Sequence, residues 1–244
     1  GVKTRRFASI VFLFTRTAAD GVRLFATAIP LKLLLNIDYT LAIFIIAVIA
    51  LLYTMVGGVK GIIWVDVVQM FTYLAGALIA GFVLIGLIPN GLSGLFEVAA
   101  AGNKFNIINL GFENGIKGFF AQPYTLLGGL LGGAFLSMAS HGTDQLIVQR
   151  LLTTKSLKSA QKAIITSGVV VIIQFFIFLI VGVALYAYYG SLPVKSDEIF
   201  PKFIIEKLPL GLSGFIIAGL FAAALSTLAG SISSLASSTM LDLY

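Results

Sequence analysis

The chain has 244 residues, 59% of them hydrophobic and 11% charged, with a mean hydropathy of +1.04 and a formal net charge of +6. Soluble domains carry roughly 25% charged residues, so this composition excludes a water-soluble globular domain and describes a polytopic membrane protein. Cysteine is absent, which excludes disulfides, thiolate metal sites and thiol redox chemistry.

Apolar runs that meet the requirement of roughly 20 residues per crossing cover residues 7–35, 38–57, 60–88, 121–150, 162–190 and 209–242. Backbone groups in lipid must be satisfied within the segment, and no run shows the alternation of barrel strands. The spacing predicts about six transmembrane helices in one membrane unit. The chain starts at Gly1 without a signal-peptide pattern and stops at Tyr244 just after an apolar run, as an internal fragment of a longer polypeptide does.

In the first run Arg16, Asp20 and Arg23 are spaced i, i+4 and i+7 and share a helix face, where they form a structural charge cluster that locks helix packing or, through arginine, clamps a carboxylate. In the third run Asp66 lies about two turns in. A carboxylate there is expensive and faces either a structural partner or a wet ion path. Trp64 suits the membrane interface. The connection 89–120 is rich in Gly and Asn, with a short amphipathic piece over 92–101.

The fourth run carries Gly128, Gly129, Gly132 and Gly133, which permit close helix approach, then Ser137, Ser140 and His141, and Gly142 interrupts it. A glycine-interrupted span with central polar groups points to a discontinuous helix whose freed backbone binds an ion or solute. His141 is the only histidine, so a multi-histidine metal site is excluded and a hydrogen bond within the bundle is expected. Ser137 and His141 on one helix lack the geometry of a nucleophile and its base, so no enzyme is expected. Before the last run, Ser196 stands where it can cap a helix whose first turn holds Asp197 and Glu198 and tolerates Pro201, an interfacial helix that acts as a lid or a plain loop. The last run contains "AAALSTLAGSISSLASST", eight hydroxyls in eighteen positions. Ala223, Ser226, Thr227, Gly230, Ser231 and Ser234 fall on one side, either for tight packing with hydroxyls bonded one turn back or for ligation of a hard cation by oxygen.

Alternating connections put Lys3, Arg5, Arg6, Lys60, Arg150, Lys155, Lys158 and Lys162 on one side with few acids. The other side holds Lys32, Lys104, Lys117, Lys195, Lys202 and Lys207, balanced by Asp38, Glu97, Glu113, Asp197, Glu198 and Glu206. Lysine and arginine in short loops mark the cytoplasm, which places both ends there. The basic residues form no stripe, so no nucleic-acid partner is expected.

The stretches "GGVKGIIWVDVVQMF", "HGTDQLIVQRLLTTKSLKSAQKA", "IFPKFIIEKLPLGLSGFIIAGLFAAALSTLAGSISSLASS" and "MLDLY", in that order, resemble the sodium:solute symporters, which include sodium/glucose, sodium/proline and sialic acid transporters. The resemblance covers essentially the whole chain. It implies a partial LeuT-like inverted-repeat fold, with residues 1–89 as the last three helices of the first repeat, 90–120 as an extracellular connection and 121–244 as the first three helices of the second. It implies that the Ala223 carbonyl and the Ser226 and Thr227 hydroxyls bind sodium opposite a first helix outside this sequence, and that Asp66 lies on the ion path to the cytoplasm. A second sodium in some members uses two further hydroxyls where this chain has Ala229 and Gly230. Ser137 and Ser140, with His141 beside them, fall at the solute positions where sugar transporters carry Asn and Tyr, and Val171 stands near their seventh-helix lysine. The function so implied is sodium-coupled symport of a small organic solute across the plasma membrane, the inner membrane if bacterial. The expected partners are sodium, the solute, the lipid bilayer and the remaining helices of the full-length chain. The alternatives are a proton-coupled carrier using Asp66 and a non-transporting membrane sensor with the same fold.

Overall fold

The computed structural model describes residues 1–112, 115–122, 124–190 and 195–244, without the side chains of residues 53, 56–63, 116 and 118. Glu113, the side chain of Lys60 and parts of both long connections therefore lie outside the description. Among the described residues every regular element is a helix: α1 (Val2–Leu35), α2 (Tyr39–Leu87), α3 (Leu92–Ala101), α4 (Gly115–Ala121), α5 (Leu126–Gly142), α6 (Gln145–Leu152), α7 (Leu157–Tyr189), α8 (Ser196–Lys207) and α9 (Leu210–Ser238), followed by a π-helical turn over Thr239–Leu243. The segments Trp64–Leu87, Leu157–Tyr189 and Leu210–Leu243 are each long and apolar enough to cross a bilayer, and Val2–Leu35 with Tyr39–Leu52, bent apart by 113°, meet the same criterion as a pair.

Local chemistry explains most of the boundaries. Asn36, at a φ of 53°, takes the left-handed conformation that ends α1. The side chains of Asp38, Thr125, Asp144 and Ser156 accept a backbone N–H from the first turns of α2, α5, α6 and α7 respectively, so each caps the helix that follows it. Ser196 does not cap α8: the cap position is Lys195, without a side-chain hydrogen bond, and Ser196 is already inside the helix. The acids Asp197 and Glu198 then sit in the first turn, where the helix dipole favours them.

One predicted boundary is missing. The break expected between residues 57 and 60 does not interrupt α2, which runs through both apolar segments for 49 residues. Glycine weakens a helix by about 1 kcal/mol against alanine but keeps its N–H, unlike proline, so a Gly pair alone does not end the ladder.

The packing has two apolar centres. One joins Leu84 of α2 and Ile88 just after it, Leu95 of α3, Val181 and Leu185 of α7, Phe203 and Ile204 of α8, and Ile216 and Ile217 of α9. Phe203 and Ile204 are fully buried, so α8 is a core element rather than a lid or a plain loop. The other joins Ala28 of α1, Ala42, Ile46 and Ala50 of α2, and Leu228 of α9. Small residues set how closely α2 and α9 approach: a Cβ on Gly219 would lie 2.6 Å from Thr72 Cγ2, and one on Gly76 3.0 Å from Ile216 Cγ1. The glycines of α5 have no such role among the described residues, since Gly129, Gly132 and Gly133 face nothing within 4 Å. Helix α5 has no buried residue and leans on α6, so its close-approach surface meets no described neighbour.

Candidate functional site

The hydroxyl face of α9 is a buried polar spine. Ser226, Ser231 and Ser234 have no solvent exposure, and each bonds to a different helix. Ser226 donates to Asp66 Oδ1 on α2, Ser231 donates to Asp20 Oδ2 on α1, and Ser234 donates to Gln149 Oε1 on α6 at 3.2 Å. Thr227 instead donates to the Ala223 carbonyl one turn back at 2.9 Å. The bond one turn back expected of a packing face is made by Thr227, while the three serines bond across to other helices.

Asp66 stands where α2, α6 and α9 meet. Its Oδ1 accepts from Ser226, and its Oδ2 lies 2.8 Å from Arg150 Nη2. Beside it a cavity of about 720 Å³ opens between α2, α7 and α9, lined by Asp66, Arg150, Lys162, Gln174, Ala223 and Thr227 among others. Across this space Tyr73 donates to Gln174 Oε1 at 3.0 Å, which ties α2 to α7. The chemistry suits a hard monovalent cation. A carbonyl and two hydroxyls are neutral oxygens of the type such an ion takes; the hydroxyls keep their lone pairs when they donate, while the Ala223 carbonyl already accepts both the helical Thr227 N–H and the Thr227 hydroxyl.

The charge cluster of α1 extends further than its spacing foretells. Arg16 is 7% exposed; its Nε donates to Ser231 Oγ at 2.7 Å and its Nη1 to Asp144 Oδ2 at 3.1 Å, with Asp20 Oδ1 at 3.6 Å. Arg23 Nη1 donates to the same Asp20 oxygen at 3.0 Å. Two arginines and two acids thus neutralise one another and lock α1 against α9 and the start of α6. At the ends of the chain Ser9 donates to Asp242 Oδ2 at 2.7 Å and Arg5 Nε lies 3.5 Å from Asp242 Oδ1, so both ends lie on one side of the bundle.

Ser137, Ser140 and His141 are not brought to the Asp66 cavity. Ser137 is exposed, Ser140 Oγ and His141 Nδ1 are 2.8 Å apart, and Ser140 donates weakly to the Ser137 carbonyl at 3.4 Å. The expected hydrogen bond of His141 is therefore made to its own neighbour rather than across the bundle. The helix break predicted at Gly142 is present, since α5 ends there and α6 begins at Gln145 with Asp144 as its cap. Sequence reasoning missed three residues of this region. In the sequence Arg150 reads as a loop charge, and Asp144 and Gln149 carry no assigned role. Asp144 before an apolar run is a readable cap signal. The pairing of Arg150 with a residue 84 positions away has no local signature.

A hydroxyl-lined helix packed on an acid of a second long apolar helix, beside a helix broken at glycine, belongs to a LeuT-like membrane-transporter fold. The family model of the sodium:solute symporters matches residues 3–244, and the chain belongs to the sodium:solute symporter family. The sodium/sialic acid symporter SiaT of Proteus mirabilis is 29% identical over 249 residues, covering 100% of this chain and 49% of SiaT. The sodium-dependent multivitamin transporter of Oryctolagus cuniculus is 28% identical, covering 96% of this chain and 37% of that protein. A solved structure of a Na⁺-coupled sialic acid symporter in a substrate-bound outward-open state superposes with a TM-score of 0.84 at 27% identity, over 100% of this chain and 52% of the other. The chain thus spans about half the length of SiaT and of the solved symporter. The family is one of membrane transporters, not of enzymes.

Proposed function

We propose that the chain is the central part of a plasma-membrane symporter, in the inner membrane if bacterial, that couples a small organic solute to sodium by alternating access. Residues 1–89 serve as the end of the first repeat, 90–120 as an extracellular connection and 121–244 as the start of the second repeat. Sodium is held by the Ala223 carbonyl and the Ser226 and Thr227 hydroxyls, completed by a helix from the rest of the polypeptide, and leaves past Asp66. Ser137, Ser140 and His141 present α5 to the solute. The observation that carries the reading is the convergence of Ser226 on Asp66 beside a cavity that Ala223 and Thr227 also line. The sodium coupling named for both relatives supports it. Coupling requires that sodium bind one state of the carrier more tightly than the other, since equal affinity shifts no equilibrium.

The test is solute uptake by the full-length protein against sodium concentration. Replacing both hydroxyls, Ser226→Ala with Thr227→Ala, removes two ligands worth about 1 kcal/mol or more each and is expected to raise the half-saturating sodium concentration about tenfold or more. An unchanged sodium requirement rejects the site. Replacing sodium by choline at fixed pH abolishes uptake if sodium is the coupling ion, whereas a proton-coupled carrier keeps it.

A further inference from the structure

Helix α6 follows the break at Gly142 and has no buried residue, so side-chain bonds rather than a core fasten it to its neighbours. Gln149 accepts from Ser234 of α9 and Arg150 faces Asp66 of α2, but the fastening nearest α5 is Asp144. The two oxygens of its carboxylate have separate tasks. Oδ1 accepts the Leu146 N–H at 2.9 Å and caps α6, while Oδ2 accepts from Arg16 Nη1 of α1 at 3.1 Å. Arg16 in turn donates from Nε to Ser231 Oγ at 2.7 Å, and Ser231 stands one turn beyond Thr227 on α9. A continuous set of bonds therefore runs from the hydroxyl face of α9 through Ser231, Arg16 and Asp144 to the break that ends α5. Arg16 has two ways to be satisfied within this set. Asp20 Oδ1 lies 3.6 Å from Nε, one turn along α1, and Nη2 is buried without a hydrogen-bond partner among the described residues. If Asp144 swings away, the guanidinium can close on Asp20 instead of standing as an unpaired buried charge, the costly outcome. Asp144, with 22% of its side chain exposed, can take water in exchange. Exchange of partners gives α6 a held and a released arrangement in which neither charge is stranded.

From this geometry we infer that Asp144 is the positioning residue that carries sodium binding on α9 to the end of α5 that holds Ser137, Ser140 and His141. Sodium fixes α9 and with it Ser231 and Arg16, Arg16 holds Asp144, and the held carboxylate sets how α5 and α6 meet at Gly142. Neither Asp144 nor Arg16 touches sodium or solute; both act through the placing of α5. An ion on α9 biases α6 only through a contact that differs between the two arrangements, and the Arg16–Asp144 pair is that contact. The inference rests on the sodium site proposed above.

The experiment uses the purified full-length protein on a cysteine-free background, with sodium chloride replaced by choline chloride and no solute added. Ser137→Cys, exposed on α5, reports through its rate of alkylation by N-ethylmaleimide, with Met138→Cys as a second reporter, and bound ²²Na⁺ is counted in parallel. With Asp144 intact, sodium is expected to change the alkylation rate about fivefold or more. Asp144→Asn keeps a good cap but loses the charge that holds Arg16. In that variant bound sodium is expected to stay as in the wild type while the ratio of rates with and without sodium falls to about one. Arg16→Gln is expected to give the same loss, and the two changes together no more than either alone, as residues acting through one contact do. Where Arg16→Gln does not fold, Asp144→Asn decides by itself. A sodium effect on alkylation that persists in Asp144→Asn overturns the inference, as does the absence of any such effect at both reporters when Asp144 is intact and sodium is bound. So does a loss of sodium binding in Asp144→Asn, which a merely structural role gives. Ser226→Ala with Thr227→Ala separates the two levels. If sodium binding and the change in alkylation both survive that pair, the sodium site itself fails. If the pair abolishes them while Asp144→Asn behaves as wild type, this inference alone fails.

Discussion

Arg16 is held by its shape as much as by its charge. Its guanidinium donates in two directions, from Nε to Ser231 and from Nη1 to Asp144, with Asp20 alongside, and it bridges three helices from one buried position. A lysine ammonium keeps the charge but is a single point and cannot span both acceptors. Breaking a fully buried pair costs about 3–5 kcal/mol, and Asp20 keeps Arg23 as a partner, so Arg16→Ala is expected to cost about 2–3 kcal/mol. Arg16→Lys is expected to recover only part of that. Thermal unfolding of the purified full-length protein in detergent is the check, and a midpoint for Arg16→Ala equal to the wild type would show the cluster to be energetically idle. At this scale the sequence is half legible. The i, i+4, i+7 spacing brings Arg16, Asp20 and Arg23 together because a helix fixes that face on its own. It says nothing of Asp144 or Ser231, which arrive from 128 and 215 residues away. The same limit hides Arg150 behind its apparent place in a loop.

The contact between α2 and α9 is set by glycines that have no obligation to be glycine from local conformation. Gly219 is buried against Thr72, whose hydroxyl is fixed by a bond to the Val68 carbonyl at 3.0 Å, so the threonine methyl cannot easily turn away. Gly219→Ala is therefore expected to overpack the contact at a cost of about 1–3 kcal/mol. Gly214 lies on the same helix with nothing within 4 Å of a Cβ. There the better helix propensity of alanine acts alone, so Gly214→Ala is expected to stabilise by about 0.5–1 kcal/mol. Opposite shifts of the unfolding midpoint check the pair, and shifts of the same sign would refute the close approach of α2 and α9. The elements differ in how plainly they announce themselves. The caps Asp38, Thr125, Asp144 and Ser156 are residue types chosen for that position, and the break after Gly142 follows from glycine before a capping aspartate. The Gly57–Gly58 pair lacks such a partner, and the helix passes through it.

Helix α7 runs uninterrupted from Leu157 to Tyr189, 33 residues, which at about 1.5 Å each exceeds the hydrocarbon thickness. Lys155 precedes it and Lys195 follows it, both exposed, so the two lie on opposite faces of a bilayer. Loop charge gives the expectation that Lys155 faces the cytoplasm. In intact cells bearing the full-length protein on a cysteine-free background, Lys195→Cys is expected to react with a membrane-impermeant thiol reagent. Lys155→Cys is expected to react only after the membrane is opened. The reverse pattern would invert the orientation. The contact of Arg5 and Ser9 with Asp242 makes the chain's two ends share whichever side that measurement assigns.

The sequence by itself determined that the chain is a helical membrane protein and where its long apolar helices lie. Hydropathy, capping and helical spacing are local properties, and they act before any two helices meet. Only the tertiary structure decided how those residues pair. It joined Ser226 to Asp66, gave Asp66 the guanidinium of Arg150, and tied Ser231 and Ser234 to other helices rather than to their own backbone. It also left Ser137, Ser140 and His141 apart from that centre. A buried charge takes whichever opposite charge the packing brings within reach. Which one arrives is fixed by helix–helix distances that glycine and serine permit without specifying a partner.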